Sequence, residues 1–217
     1  MRSPSLEPTL PSRTLGAVRR SLAQALRHRI AGADGGAKAQ RIWQAEGERW
    51  FTPDDPIWWV HMDASMFPGG IRALLLQSLH PLAMAGVDQH SAYRDDPWMR
   101  VQRTSTYIAT TTFGTAAHAE QSIRAVRRIH ESVRGTASDG TPYSAGDPHL
   151  LMWVHLAEVD SFLTTYQRFG PRPLTQGQAD LYVAQTGVAA EMLGVVDPPT
   201  TVVRVVRLTA GRRKGSR

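Results

Sequence analysis

Apolar residues along this chain recur at intervals of three and four, a spacing that predicts a succession of helices. After Thr14, the positions Leu15, Val18, Leu22, Ala25 and Arg29 or Ile30 trace a basic amphipathic helix, packed on the body or laid on a membrane surface. A Gly-rich break over Ala31 to Ala37 precedes a short helix in KAQRIWQAEGERWF, and TPDDPIWWVHMDASMFPGG reads as an irregular, Trp-rich segment. Residues 71–79 are apolar apart from Arg72, Gln77 and Ser78, which predicts a central helix buried all round. Pro81 ends or kinks it, with His80 at the break. Asp96-Pro97 opens the next helix and Gly114 stops it, while Thr115 caps a further helix that Gly135 closes. Asp147-Pro148 starts a long helix to about Phe169, and Thr175 starts a last one that ends at Gly194. Nothing alternates long enough to argue a sheet, so the expected fold is all-α, a multi-helix bundle.

Composition divides the chain of 217 residues into three parts. Residues 1–12 are rich in Pro and Ser and are expected to be disordered, residues 13–197 form the helical domain, and residues 198–217 form a β-branched, basic tail. That tail reads either as a solvated arm or as an unnatural C-terminus from a shifted reading frame. It carries Arg204, Arg207, Arg212, Arg213, Lys214 and Arg217 with no acid, which accounts for the whole net charge of +6. The body is therefore not a basic nucleic-acid surface, and a nucleic-acid-binding regulator is suggested by the tail alone. No cysteine is present, so disulfides, thiolate nucleophiles and cysteine-held metal clusters are excluded. Arg27, His28 and Arg29 break any export signal, and the apolar run 71–87 contains Gln77, His80 and Pro81 and falls short of a membrane span. A soluble cytoplasmic protein is the expectation.

The chemistry-bearing residues stand on this helical frame. In RAVRRIHESVRG, Ala116, Ala119, Ile123, Val126, His130 and Val133 share one stripe, which turns His130 inward and most of the arginines outward. A neutral imidazole on such a face is a common ligand of haem iron, and Arg124, Arg127, Arg128 and Arg134 would suit the two propionates of that group. The alternative is a core histidine bonded to a backbone carbonyl. Arg100 and Thr104 lie one turn apart, followed by Thr106 and Thr110 to Thr112; they polarise a bound oxygen species or, more plainly, form an exposed Arg and threonines bonded back to the helix. His155 and Glu158 reverse the order of a di-iron Glu-x-x-His motif and have no second pair.

Three separated blocks, RALLLQSLHPLAMAGVDQHSAYRDDPWMRVQRTSTYIATTTFG, RAVRRIHESVRG and DGTPYSAGDPHLLMWVHLAEVDSFLTTYQRF, resemble the MpaB-type oxygenase family. Its catalytic domain is shared with the latex-clearing rubber oxygenases, and the resemblance covers about residues 55–195. It implies an all-helical domain with a globin-like core that binds haem b and uses dioxygen to cleave double bonds in lipophilic, isoprenoid-like substrates. Residue by residue, it implies His130 as the iron ligand, Arg100 and Thr104 as the distal pair, and His80 as either a distal-pocket residue or a cap at the helix break. Arg127 and Arg134 are the expected cofactor-binding cations, and His155 is left as structural. The segment ahead of Arg100 departs from the rubber oxygenases, offering Met84 and Asp88 and no Glu. A non-catalytic haem- or lipid-binding protein, or an inactive truncated relative, is the alternative.

Overall fold

In the computed structural model the described residues are 21, 24, 25, 29–91 and 95–214, with the backbone alone for 211–214. Residues 21, 24, 25 and 29–31 are helical, and from Gly35 onward the described residues form nine helices and one small hairpin: α1 Gly35–Trp43, α2 Pro56–Met62, α3 Met66–Ser78, α4 Pro81–His90, α5 Pro97–Phe113, α6 Ala116–Ser132, β1 Arg134–Thr136, β2 Pro142–Ser144, α7 Pro148–Phe169, α8 Gln176–Leu193 and α9 Val202–Lys214. The protein is all-α apart from that hairpin. The predicted disorder of residues 1–12 lies outside the described residues, as does most of the basic helix over 14–30.

Local chemistry sets most helix ends where it was expected to. Asp96, Thr115, Asp147 and Thr175 each accept a hydrogen bond from the first turn of the helix they cap. Pro97 and Pro148 occupy first positions, where the missing N–H costs nothing. At Thr175 the cap is reciprocal, because the Gln178 side chain returns a bond to the Thr175 backbone. Pro81 ends one helix and begins another, with His80 between α3 and α4.

Helix α7 is the centre of the molecule. Leu151, Met152, Leu156, Val159, Phe162, Leu163 and Tyr166 are buried among Ile57 and Val60 of α2 and Tyr182 and Val183 of α8. Helices α2, α3, α8 and α9 all pack against it. Below α2, Phe113 stacks on Trp43 at 5.1 Å and meets Trp58 edge-on at 5.0 Å. Arg49 ties this corner by donating to the carbonyls of Ala45 and Phe113.

Four expectations are corrected. The stretch PIWWVHM, read as irregular, is helical, because Asp55-Pro56 opens a short helix whose Ile57 and Val60 are buried. The stretch 71–79 is not buried all round: Ala73 is buried, whereas Ile71, Leu75 and Leu79 are 63%, 64% and 70% exposed. Its inner face is fixed by Gly69 against Phe162 and by Arg72, which donates to Asp160 at 2.6 Å and to Ser161 at 2.8 Å. Gly135 closes no helix. It sits in β1 opposite Tyr143, whose hydroxyl would lie 2.6 Å from any Cβ there. Finally, the stretch read as a solvated arm or an unnatural C-terminus folds over Val202–Lys214 as a helix with Val205 buried in the core and Val202 and Leu208 packed beside it. Arg204 anchors its start by donating to the Asp197 carboxylate. Valines three apart line one helix face, and burying that face offsets their modest helix propensity.

Candidate active site

The interval between helices matters as much as the packing. α5 and α6 pack on one another, and α7 packs on α2, α3, α8 and α9, but among the described residues neither α5 nor α6 makes an extensive approach to α7. Long side chains bridge this interval instead. Arg100 of α5, half-buried, donates from Nη2 to Gln77 Oε1 of α3 at 2.8 Å, and its charge acts on Glu158 of α7.

Glu158 is one of several strongly perturbed titrating groups here. Burial pushes its carboxyl up to about 7, against a smaller downward pull from the Arg100 guanidinium. Tyr107 of α5 and Tyr182 of α8 are both pushed upward, first by burial and then by the negative charge of Glu158. Beyond Tyr182, His61 of α2 is held by two contacts: Nε2 lies 3.3 Å from the Tyr182 hydroxyl and Nδ1 lies 2.7 Å from Thr112 Oγ1. Burial pushes His61 down to about 3, so the ring is neutral and exchanges hydrogen bonds rather than charge.

His130 lies in the last turn of α6 and is half-buried, with its pKa lowered by burial. Its Nδ1 is shielded from solvent and has no hydrogen-bond partner. His155 of α7 is buried, is pushed down to about 4 and also carries a shielded, unpartnered nitrogen, Nε2. Buried polar atoms are nearly always satisfied, so these two imidazoles stand out from the rest of the interior. Neither finds the backbone carbonyl that a plain core histidine would use at that atom.

The remaining expected residues fall into two groups. Thr104 is half-buried one turn after Arg100. His80 occupies the cap position of α4, yet its side chain makes no capping bond; its ring lies 5.6 Å from Trp153 of α7. The capping role is thus set aside, and His80 packs toward the helix that carries His155 and Glu158. The threonines after Thr104 divide: Thr106, Thr110 and Thr111 donate back to carbonyls one turn earlier, whereas Thr112 meets His61. The arginines around His130 lie on the outside. Arg124 pairs with Glu120 at 3.2 Å, Arg127 donates to the Met192 carbonyl at 3.2 Å, and Arg134 donates to the Glu131 carbonyl at 2.8 Å.

Glu158, Tyr107, Tyr182 and His61 were not singled out from the sequence as site residues. A signal existed for Glu158: Leu151, His155, Glu158, Phe162 and Thr165 fall at the 4, 3, 4, 3 spacing of one helix face. An acid and a histidine on an otherwise apolar stripe are worth a functional hypothesis. Among the described residues, no cluster of three His, Asp or Glu side chains is arranged to hold a metal ion by itself. No helix there is long and apolar enough to cross a membrane.

Residues 58–211 match the family described as "ER-bound oxygenase mpaB/B'/Rubber oxygenase, catalytic domain". Over 94 residues the chain is 35% identical to uncharacterized protein Mb2261 of Mycobacterium bovis, and equally so to uncharacterized protein Rv2237 of Mycobacterium tuberculosis. Each match covers 43% of this chain and 36% of the relative, so the chain spans well under half the length of either. No solved structure matches.

Proposed function

Because the chain belongs to the MpaB and rubber oxygenase catalytic-domain family, we propose that it is a haem b-dependent oxygenase that uses dioxygen on a lipophilic, isoprenoid-like substrate. The observation that carries this reading is the His130 imidazole, neutral, half-buried and with a shielded nitrogen that nothing in the protein satisfies. A ring in that state would suit an iron ligand, since the ligating form of histidine is the neutral one.

Haem, when bound, supplies the oxygen chemistry, and the protein supplies binding, orientation and electrostatics. His130 would hold the iron, and the exposed Arg127 and Arg134 would be the cations for the propionate edge. Arg100, fixed by Gln77, presents a permanent positive charge to the interior, where it stabilises negative charge that develops during the reaction. Thr104 adds a hydroxyl one turn away, and His80 lines the same interior beside Trp153.

Absorption spectroscopy tests the reading. Protein expressed with ample haem should show a Soret band that is lost or strongly shifted in His130→Ala, with the fold retained by circular dichroism. A colourless, folded wild-type protein would sink the haem assignment.

A further inference from the structure

A cleft of about 470 Å³ opens where the C-terminal end of α2 meets the turn between α7 and α8. That volume falls within the range of about 300–1,000 Å³ that takes small organic molecules. Its apolar wall is formed by Trp59 and Met62 of α2 and Leu174 of the turn, and its polar side by Asp63, Tyr166 and Arg172. Hydrogen bonds behind the cleft hold these walls in place. Trp59 donates its single N–H to the Pro53 carbonyl at 2.7 Å, which leaves the indole ring as its contribution to the cleft. Gln167 brackets Leu174, donating from Nε2 to the Leu174 carbonyl at 3.1 Å and accepting at Oε1 from the Leu174 N–H at 2.7 Å. Asp63 Oδ1 accepts from the Ser65 N–H at 2.8 Å.

Two donors on the polar side are uncommitted. Tyr166 is 4% exposed, yet among the described residues its hydroxyl makes no hydrogen bond, an uncommon state for a side chain so deeply set. Arg172 is exposed and makes neither hydrogen bond nor ion pair among the described residues. The Tyr166 phenol is pushed upward first by burial and then by the Asp63 charge, while Arg172 pulls it the other way, so both charged groups bear on the same hydroxyl.

We propose that this cleft binds a small amphiphilic carboxylate, with its apolar body against Trp59, Met62 and Leu174 and its head accepting hydrogen bonds from Arg172 and Tyr166. A guanidinium presents a planar fork that matches a carboxylate, and the phenol adds an uncharged donor beside it. Asp63, with one oxygen already engaged by Ser65, repels the head and confines it to the Arg172 end. None of His130, Arg100, Thr104 or His80 lines the cleft, so the proposal stands independently of the oxygenase reading.

Isothermal titration of the full-length protein with sodium decanoate, decanol and decyltrimethylammonium tests it, with or without haem in the protein. Decanoate should bind more tightly than decanol, and the cation most weakly. Arg172→Gln should weaken decanoate by roughly tenfold and leave decanol unchanged. Asp63→Asn, which keeps the acceptor for Ser65, should tighten decanoate. Met62→Glu, at a position 57% exposed and therefore tolerant of change, should weaken decanoate and decanol alike. Amide shifts in nitrogen-15 spectra should centre on Trp59, Met62, Arg172 and Leu174. No saturable decanoate binding, equal affinity for decanoate and decanol, indifference to both Arg172→Gln and Met62→Glu, or shifts centred elsewhere would each overturn the proposal. A protein that binds decanoate as described but takes up no haem supports this site and refutes the oxygenase reading alone.

Discussion

His61 and His155 illustrate what burial does to a single residue. Their ordinary pKa of 6.5 falls to about 3 and about 4 because the interior disfavours the charged ring. Below pH 6.5 the unfolded chain takes up protons at both positions while the folded chain does not, so stability falls as pH falls. Each ring contributes about 1.4 kcal/mol per pH unit in that window, and His130 acts in the same direction. Glu158 opposes them: raised from 4.5 to about 7, it keeps its proton in the folded chain, so its contribution grows as pH falls from 7 to 4.5. Denaturant unfolding at about pH 7 and about pH 5 should therefore show a loss of stability on acidification, and Glu158→Gln should steepen that loss. An equal slope in the variant would mean that Glu158 is ionised throughout. At this scale residue types were legible in the sequence, and His130 stood out because a histidine on an apolar stripe breaks a pattern. The state of Glu158 was not legible, since its raised pKa comes from burial, which only folding imposes, against a smaller downward pull from Arg100 on another helix.

Among elements, the pairing of α3 with α7 is the closest, and two adjacent glycines show why. A Cβ on Gly69 would lie 2.7 Å from Thr165 Oγ1 and 3.0 Å from a Phe162 ring carbon, whereas a Cβ on Gly70 would meet nothing within 4 Å. Thr165 cannot turn away cheaply, because its hydroxyl donates to the carbonyls of Ser161 and Phe162 inside the core. Gly69→Ala should therefore destabilise by about 1–3 kcal/mol through overpacking. Gly70→Ala should stabilise by about 0.5–1 kcal/mol, because alanine is the better helix former. Thermal unfolding of the two variants distinguishes a contact effect from a propensity effect; a loss of stability in both would show that the α3 backbone needs glycine as such. Helix ends were legible from Asp, Thr and Pro placed before apolar runs. The direction in which α3 faces was not, because a run apolar on every side contains no polar face to orient it, and only Gly69 and Arg72 select the side that meets α7.

For the whole molecule, α9 shows how far the core extends. Val205 is buried in the main cluster while Val203, two residues earlier, is 55% exposed. Val205→Ala should cost about 2 kcal/mol and lower the midpoint of thermal unfolding by several degrees, while Val203→Ala should change stability by less than about 0.5 kcal/mol. Equal, small effects would mean that α9 is not part of the cooperative core. Helical class, most helix starts and the family resemblance follow from the sequence, because caps, prolines and the 3.6-residue period act within a few residues of one another. Tertiary structure alone decided that the basic C-terminal stretch folds onto α7, that the apolar stretch around Leu75 lies half outside, and that burial raises the pKa of Glu158. These depend on contacts between distant segments, where desolvation and excluded volume, rather than local propensity, determine which face is buried and which charge is kept.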